Sequence, residues 1–327
     1  MYRKKIAIAT FVLFVFSSLS IFGTQHLAKS VFEQHVYAQN LSNRPDTFGP
    51  YPTKNVHFPS KDQNVSLRGW LVPSKKSKKI VIFTHGVNSN RSFSHSIFFS
   101  NILYDKGISS LLFDFRSAGT SEKRETLLGN GEKQDLLGAI AYAKKMGYTD
   151  IAIVGFSFGA AVALSLPEDP AVKVIVAHSS FTTLKDEFNN LREKALTNKN
   201  VIDEMSYYLS IPTSTVTSFL LKQIVDISPS LLSFFNVDLN EIKPIDNLKN
   251  LKHTKILFLH NEKDLVTDVS NSKKLYDASI KKNTDLWIFP VEGHIFMDRP
   301  LNPKADYEML RLEYYYYTVH YIIANLN

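Results

Sequence analysis

Residues 151–161, with the sequence IAIVGFSFGAA, decide the fold class of this 327-residue chain. The four apolar residues 151–154 predict a short buried strand, and the small residues after Gly159 predict a helix that starts at once. Glycines two residues either side of Ser157 permit a sharp turn from strand to helix, which presents a serine hydroxyl at the end of a sheet. We therefore interpret Ser157 as a candidate nucleophile.

Short apolar runs recur along the rest of the chain in alternation with helix-like stretches. The strand-like segments are residues 65–72, 80–84, 108–115, 151–154, 172–177, 256–259 and 286–289, and the helix-like ones are about 94–106, 132–146, 158–166, 269–281 and 304–324. Continuous apolar runs are typical of strands that are covered on both faces. The pattern predicts an α/β fold in which helices flank a mostly parallel sheet.

One interval, at about residues 181–251, contains no convincing strand. It holds amphipathic pieces rich in Leu, Phe and Ser, punctuated by Pro212, Pro229 and Pro244. We interpret it as a helical cap over the carboxyl edge of the sheet, where open α/β proteins bind their ligands. Its apolar side chains favour a hydrophobic substrate, although they equally suit packing onto the domain.

The composition excludes several classes of protein. With 44% hydrophobic and 21% charged residues, the chain is neither disordered nor collagen-like nor a coiled coil. Because it has no cysteine, disulfides, cysteine-ligated zinc, iron–sulfur clusters and a thiol nucleophile are all excluded. The net charge is +7, but the chain lacks the sequence motifs of nucleic-acid-binding proteins and has no basic patch interleaved with aromatic residues. We therefore expect no nucleic-acid partner.

The amino terminus predicts membrane association. Arg3, Lys4 and Lys5 precede an uncharged run, residues 6–22, which as a helix is about 26 Å long. The sequence after the run lacks well-placed small residues for cleavage, so an uncleaved anchor is favoured over a cleaved signal peptide or a buried helix. We predict an anchor at 1–24, a linker at 25–54 and a catalytic domain at 55–327 outside the cytoplasm, with secretion after cleavage as the alternative.

A serine hydroxyl needs a general base, and the base needs a carboxylate to orient it. On this type of sheet, the order along the chain is serine, acid, histidine, with each residue in a loop after a strand. Asp264 follows the strand at 256–259, and His294 follows the strand at 286–289. Glu262 and Asp268 compete with Asp264, but Asp268 better suits the start of the next helix.

Acyl transfer also needs hydrogen-bond donors for the oxyanion that develops. We expect these to be the backbone N–H groups of Phe158, which follows the serine, and of Val87, in the loop after the strand at 80–84. In the same region, His85 is interpreted as a residue that fixes the loop. Arg116 is interpreted as a partner in a structural ion pair.

Together these motifs resemble the α/β-hydrolase superfamily. They are His85-Gly86, the Asp-Phe-Arg-x-x-Gly-x-Ser segment at 114–121, Gly155-Phe156-Ser157-Phe158-Gly159, the Asp264 loop and Gly293-His294. More narrowly, the chain resembles the membrane-associated bacterial branch of serine aminopeptidase-like and esterase-like proteins. The resemblance implies an eight-stranded sheet with a small cap, and a catalytic triad of Ser157, Asp264 and His294 that forms an acyl-enzyme.

The chain departs from the pattern of these relatives at two places. His178 precedes Ser179-Ser180-Phe181 where relatives often have an aspartate, and Ser117 stands where glycine is usual. Neither departure touches the predicted triad.

These observations predict a serine hydrolase that cleaves a carboxylic ester, with thioester and amide bonds also open. Its substrate would be a small hydrophobic acyl compound or a peptide, and the mechanism needs no metal or organic cofactor. An aminopeptidase of the same fold is an alternative, with Glu187, Glu193 or Glu204 holding the substrate amino group. A non-catalytic binding protein that retains the fold is the other alternative.

Overall fold

The computed structural model describes most of the predicted catalytic domain. The described residues are 47–48, 51–75, 77–87, 89–124, 129–197, 239–295, 299–300 and 306–326. The predicted anchor, most of the predicted linker and the central part of the predicted cap lie outside them. Among the helices that are described, none combines the length and the apolar character needed to cross a bilayer.

A mixed sheet of nine strands forms the centre of the domain. Its strands are β3 (Lys54–Pro59), β4 (Ser66–Val72), β5 (Lys79–Thr84), β6 (Ser109–Phe113), β7 (Asp150–Phe156), β8 (Val172–His178), β9 (Lys255–Lys263), β10 (Thr284–Glu292) and β11 (Arg299–Pro300). Their order across the sheet is β11-β10-β9-β8-β7-β5-β6-β4-β3. Strands β5 to β10 are parallel, whereas β3, β4 and β11 pair antiparallel with their neighbours. Two short strands, β1 (Thr47–Phe48) and β2 (Tyr51–Pro52), form a separate hairpin.

The prediction of a mostly parallel sheet is confirmed, but the number of strands differs from the expected eight. The additional strand is β11, which has only two residues and pairs with the end of β10. The apolar pattern also misses β3, because this edge strand exposes most of its side chains and carries no continuous apolar run. Both differences lie at the edges of the sheet, where burial dictates the sequence least.

Helices cover both faces of the sheet. They are α1 (Ser94–Asp105), α2 (Asn130–Lys145), α3 (Phe158–Leu164), α4 (Leu184–Thr197), α5 (Pro244–Asn247), α6 (Ser270–Ala278) and α7 (Tyr307–Asn325). Ile80 and Ile82 of β5 join the core beneath α2 and α3, whereas Val81 and Phe83 join the core beneath α1 and α7. Because alternate side chains of a strand point to opposite faces, burial on both faces explains the unbroken apolar runs.

Candidate active site

Ser157 occupies the sharp turn between β7 and α3. Its backbone has φ 51° and ψ −119°, a strained conformation for a residue with a side chain. The flanking glycines make the turn possible: a Cβ at Gly159 would lie 2.6 Å from the backbone oxygens of Thr84 and His85, and one at Gly155 would lie 2.6 Å from the Cα of Ala160. The glycines therefore allow α3 to start directly against the neighbouring chain.

The structure brings Ser157, His294 and Asp264 together at the carboxyl edge of the sheet. The Nε2 atom of His294 lies 2.9 Å from Ser157 Oγ, and its Nδ1 atom lies 2.8 Å from Asp264 Oδ2. Both His294 and Asp264 are buried, whereas Ser157 is partly exposed. The parallel strands β7, β9 and β10 all end at this edge, so residues distant in sequence become neighbours.

Asp264 is ionised and held in place by its own loop. Its Oδ1 atom accepts hydrogen bonds from the N–H groups of Val266 and Thr267, each at 2.9 Å. Burial alone would raise the pKa of Asp264, but the charge of His294 and a hydrogen bond from His260 outweigh it and lower the pKa to about 2. A carboxylate of this kind fixes the orientation of His294.

His260 is a second histidine on Asp264, and the sequence pattern did not single it out. Its Nε2 atom lies 2.9 Å from the carbonyl oxygen of Thr267 and 3.2 Å from Asp264 Oδ2. Since a carbonyl oxygen can only accept, Nε2 carries the hydrogen. Nδ1 lies 2.7 Å from the hydroxyl of Ser272. The Nε2 hydrogen of His260 is thus shared between the Thr267 carbonyl oxygen and Asp264 Oδ2, the same oxygen that faces Nδ1 of His294.

The backbone of His294 is supported by two further polar side chains. The hydroxyl of Ser179, which directly follows β8, donates to the carbonyl oxygen of His294 at 2.9 Å. The side-chain amide of Asn261 donates to the carbonyl oxygen of Gly293 at 2.9 Å. Ser179 also has a positive φ, 50°. These contacts join residues of β8, β9 and β10, and no local motif indicated them.

The loop after β5 passes directly beside Ser157. A Cβ at Gly86 would lie 3.5 Å from the Cβ of Ser157, which places the following residue, Val87, next to the candidate nucleophile. His85 fixes this loop as expected: its Nδ1 donates to the oxygen of Gly86 at 2.8 Å, and its Nε2 accepts from the N–H of Phe115 at 3.1 Å. Burial lowers the pKa of His85 to about 4, so its ring is neutral.

A family model described as serine aminopeptidase, S33, matches residues 75–298 of the chain. This chain belongs to that family. Among curated proteins, it is 25% identical to the acyltransferase drtE of Aspergillus calidoustus over 71% of this chain and 84% of the relative. It is 27% identical to the polyketide transferase ATR5 of Stachybotrys chlorohalonatus, over 34% of this chain and 38% of that one.

Solved structures share the fold of this S33-family chain. The esterase Pf2001 of Pyrococcus furiosus superposes with a TM-score of 0.65 at 21% identity, covering 90% of this chain and 99% of that one. The α/β hydrolase GrgF of Penicillium sp. sh18 superposes with a TM-score of 0.59 at 16% identity, covering 84% and 99%. The predicted α/β-hydrolase superfamily is therefore confirmed, and the chain is a serine hydrolase.

Two buried ion pairs brace the loops around the site of this hydrolase. Arg116 forms a forked contact with Asp135 of α2, through Nη2 at 2.7 Å and Nε at 3.1 Å, as its expected structural role requires. Arg91, which the sequence analysis did not single out, binds Asp114 through its guanidinium group, and its backbone N–H donates to Asp114 Oδ1 at 2.8 Å. Asp114 thereby ties the loop after β6 to the loop that carries Val87.

Three glutamates were considered for binding the amino group of a peptide substrate, and one of them, Glu187, lies close to His294 and Asp264. Glu187, in α4, is buried and accepts a hydrogen bond from the Thr267 hydroxyl at 2.5 Å. Burial raises the pKa of Glu187, and the hydrogen bond from Thr267 and the charge of His294 only partly oppose this rise. Glu193 is exposed on the same helix. Glu204 lies outside the described residues.

The described residues also contain no cluster of three or more His, Asp and Glu side chains suited to holding a metal ion.

Proposed function

We propose that this chain hydrolyses a carboxylic ester through a catalytic triad of Ser157, His294 and Asp264. The observation that carries the proposal is the continuous chain of hydrogen bonds from Ser157 Oγ through both ring nitrogens of His294 to Asp264, with distances of 2.9 Å and 2.8 Å. The carboxylate receives the Nδ1 hydrogen, which leaves Nε2 free to accept the serine proton.

In the first half of the reaction, Ser157 Oγ attacks the carbonyl carbon of the substrate while its proton passes to His294 Nε2. The resulting tetrahedral oxyanion accepts hydrogen bonds from the N–H groups of Val87 and Phe158. Phe158 begins α3, and the first amides of a helix have no partner within the helix. His294 then gives the proton to the departing alcohol, and an acyl-enzyme remains.

In the second half, His294 Nε2 takes a proton from water, and the hydroxide attacks the acyl carbonyl carbon. The same two N–H groups hold the second oxyanion, and the proton returns from His294 to Ser157 as the carboxylic acid leaves. Activity therefore requires the neutral form of His294 and is expected to decline at acidic pH.

The substrate we propose carries a small hydrophobic acyl group. Val87, beside the nucleophile, is 52% exposed, and a Cβ at Gly86 would lie 3.5 Å from Ser157 Cβ and 3.9 Å from Ile295 Cδ1, so a second apolar side chain lies close to the nucleophile. The names of the curated relatives, an acyltransferase and a polyketide transferase, and of the esterase neighbour are consistent with acyl chemistry at a serine. Thioesters and amides fall within the same chemistry.

Glu187 supports a second candidate function, that of an aminopeptidase. Its carboxylate approaches the Asp264 loop from α4, in the described part of the predicted cap, and one of its oxygens accepts from Thr267. A carboxylate near the nucleophile would hold the free ammonium group of a peptide substrate.

Membrane anchorage through residues 6–22, with the domain outside the cytoplasm, is part of the same proposal. The supporting observation is the basic flank before an uncharged run of sufficient length. Secretion after cleavage of this segment is the alternative. Extraction of membranes at high pH, which leaves integral proteins in the pellet, separates the two.

Labelling with a fluorophosphonate probe tests the nucleophile. Wild type and Ser179→Ala should be labelled, whereas Ser157→Ala should not be. Ser179→Ala is a matched control, since it removes a serine hydroxyl from the same strained backbone conformation on the adjacent strand. Labelling that persists in Ser157→Ala would refute the assignment, and the absence of labelling in all three proteins would indicate a non-catalytic member of the fold.

Glu187→Gln separates the esterase from the aminopeptidase. If Glu187 holds an amino group, kcat/KM for aminoacyl amides should fall while that for p-nitrophenyl esters is kept, and acetylated aminoacyl amides should be poor substrates for both proteins. Equal effects on esters and on aminoacyl amides would exclude the aminopeptidase.

A further inference from the structure

An exposed apolar groove lies between α1 and α7, on the outer side of the helices that cover one face of the sheet. Its volume is about 770 Å³. The residues that line it recur at helical spacing: Phe98 and Ile102 on α1, and Met309, Leu312, Tyr316 and Ile323 on α7. Tyr316 is 74% exposed, and Met309 and Leu312 are each 54% exposed. Exposed apolar side chains that lie next to one another, rather than singly, are typical of interaction sites.

The described chain begins beside one end of this groove. The ring of Tyr51, in β2, packs edge-on against Tyr104 with 5.2 Å between centroids, and its hydroxyl donates to Asp105 Oδ2 at 2.9 Å. Lys106, the next residue after these two, lines the groove. The chain therefore enters the described domain beside the end of α1, and in the sequence residues 23–46 separate this part of the domain from the apolar run 6–22.

The other end of the groove lies toward the candidate site. Phe98 belongs to the first turns of α1. This helix begins at Ser94, directly after the loop that carries Val87 and Arg91. The Phe98 end of the groove thus lies toward the carboxyl edge of the sheet, where Ser157 is found.

We propose that this face, defined by the six lining residues above, rests on the surface of a lipid bilayer. The proposal rests on the membrane anchorage proposed above, because the 24 residues from 23 to 46 would keep the domain near the bilayer and the chain enters the described domain beside the Lys106 end of the groove. The apolar side chains enter the boundary between headgroups and acyl chains, and the tyrosine and lysine side chains lie at headgroup level.

The charge of the face favours insertion of apolar side chains over attraction to anionic lipid. Lys106 and Glu313 are the charged side chains among the lining residues, with His320 counted as neutral, and their charges cancel, so no surplus of positive charge faces outward. The face should therefore bind bilayers of neutral phosphatidylcholine.

Single cysteines test the proposal cleanly, because the natural chain contains none. Met309→Cys places a label on the groove, and Met146→Cys is a matched control with 52% exposure at the end of α2, on the opposite side of the sheet. The full-length variants carry an environment-sensitive fluorophore and are reconstituted in phosphatidylcholine vesicles with or without lipid bearing a nitroxide on its acyl chain. Vesicle flotation measures anchorage in the same samples.

We expect the emission from position 309 to shift to the blue and to be quenched by the nitroxide lipid, with neither effect at position 146. Adding Leu312→Glu and Tyr316→Glu to Met309→Cys should abolish the quenching while flotation is kept. Flotation without quenching at 309 would overturn the docking face and leave the anchor intact, whereas loss of both would refute both.

Two further results would also overturn the proposal. A blue shift at 309 without quenching would show that protein covers the face, either a second copy or the apolar run of the same chain. Equal quenching at 309 and 146 would show unspecific adsorption.

Discussion

Strands β7 and β8 are each followed by a serine with the same positive φ, and these two serines have different environments. Ser157 and Ser179 have φ values of 51° and 50°. The N–H of each donates at 2.8 Å to the last paired residue of the neighbouring strand, His178 for Ser157 and Leu259 for Ser179. The two turns are thus built alike by the parallel sheet.

Their side chains meet opposite ends of the same residue. The hydroxyl of Ser157 faces the Nε2 atom of His294, whereas the hydroxyl of Ser179 donates to the carbonyl oxygen of His294. In the proposed mechanism, Ser157 loses its proton to His294, and Ser179 holds His294 in position. The backbone conformation therefore presents a hydroxyl at the edge of the sheet, and the partner atom decides what that hydroxyl can do.

Asp264→Asn should have the largest effect on kcat, because it removes the carboxylate that keeps Nε2 of His294 free to accept a proton from Ser157. An amide in place of the carboxylate can donate to Nδ1 and so favour the ring form that carries its hydrogen on Nε2, which cannot accept a proton from Ser157. We expect kcat to fall by about 10⁴-fold with little change in Tm. A loss below tenfold in ester hydrolysis would contradict the role of Asp264.

His178→Phe makes the end of β8 resemble the end of β7, where Phe156 is the register partner of His178. Burial lowers the pKa of His178 well below its usual value, since its ring lies among aromatic side chains. As the pH falls, His178 therefore takes up a proton in the unfolded chain at a higher pH than in the folded protein. The free energy of unfolding thus decreases as the pH falls below about 6.5.

The substitution His178→Phe should therefore make the free energy of unfolding depend less steeply on pH. Between pH 5 and 6, we expect its slope to be lower than that of wild type by about 1.4 kcal/mol per pH unit. Urea titrations at several pH values measure this slope. The variant also loses the contact of the ring with the Tyr314 hydroxyl, so its stability at pH 8 should be lower than that of wild type. An unchanged slope would show that His178 is charged in the folded protein.

Gly159→Ala tests the close approach that exists only at the end of β7. Two residues after Ser157, an added Cβ would meet the backbone of the loop after β5, whereas two residues after Ser179 the chain accommodates the large side chain of Phe181. We expect unfolding free energy to fall by about 1–3 kcal/mol, with a loss of kcat because the Val87 loop must move. Urea denaturation and ester hydrolysis together measure both effects, and unchanged values of both would refute this reading of the turn.

Ser179→Ala should have the smallest effect. It removes one neutral hydrogen bond to the backbone of His294, worth about 1 kcal/mol, which corresponds to about a fivefold loss of kcat. Because the residue positions the base and touches no substrate, KM should stay constant. A rise in KM without a change in kcat would place Ser179 in the substrate site instead.

Much of the geometry of this candidate site could be predicted from the sequence, because the residues of the proposed triad obey strong local rules. The turn around Ser157 needs glycines at fixed positions, and loops after strands place Asp264 and His294 at one edge of the sheet. The supporting residues obey no such rule. Ser179 and Asn261 act through contacts with the loop after β10, and a single sequence does not specify which side chains meet across a sheet. His260 contacts residues 4 to 12 positions further along the chain, but no known motif marks that spacing.

The same distinction applies to the fold. Buried strands were predicted from their apolar runs, but β3 and β11 lie at edges where few side chains are buried. Strand β9 continues to Lys263, beyond the predicted residue 259, because its backbone still pairs with β10 there. The apolar pattern misses this extension because the buried residues His260 and Asn261 are polar. Function overrides the apolar pattern at these positions.

If the proposed triad carries the reaction, ester hydrolysis also reports how complete folding is. The contact between Ser157 and His294 joins residues 137 positions apart, and that between Asp264 and His294 joins residues 30 apart. Contacts between distant residues form late, because the loop entropy must be lost before they stabilise the chain. During refolding, the helical signal in circular dichroism should return before ester hydrolysis does, since only the finished order of β7, β8, β9 and β10 brings the three side chains together.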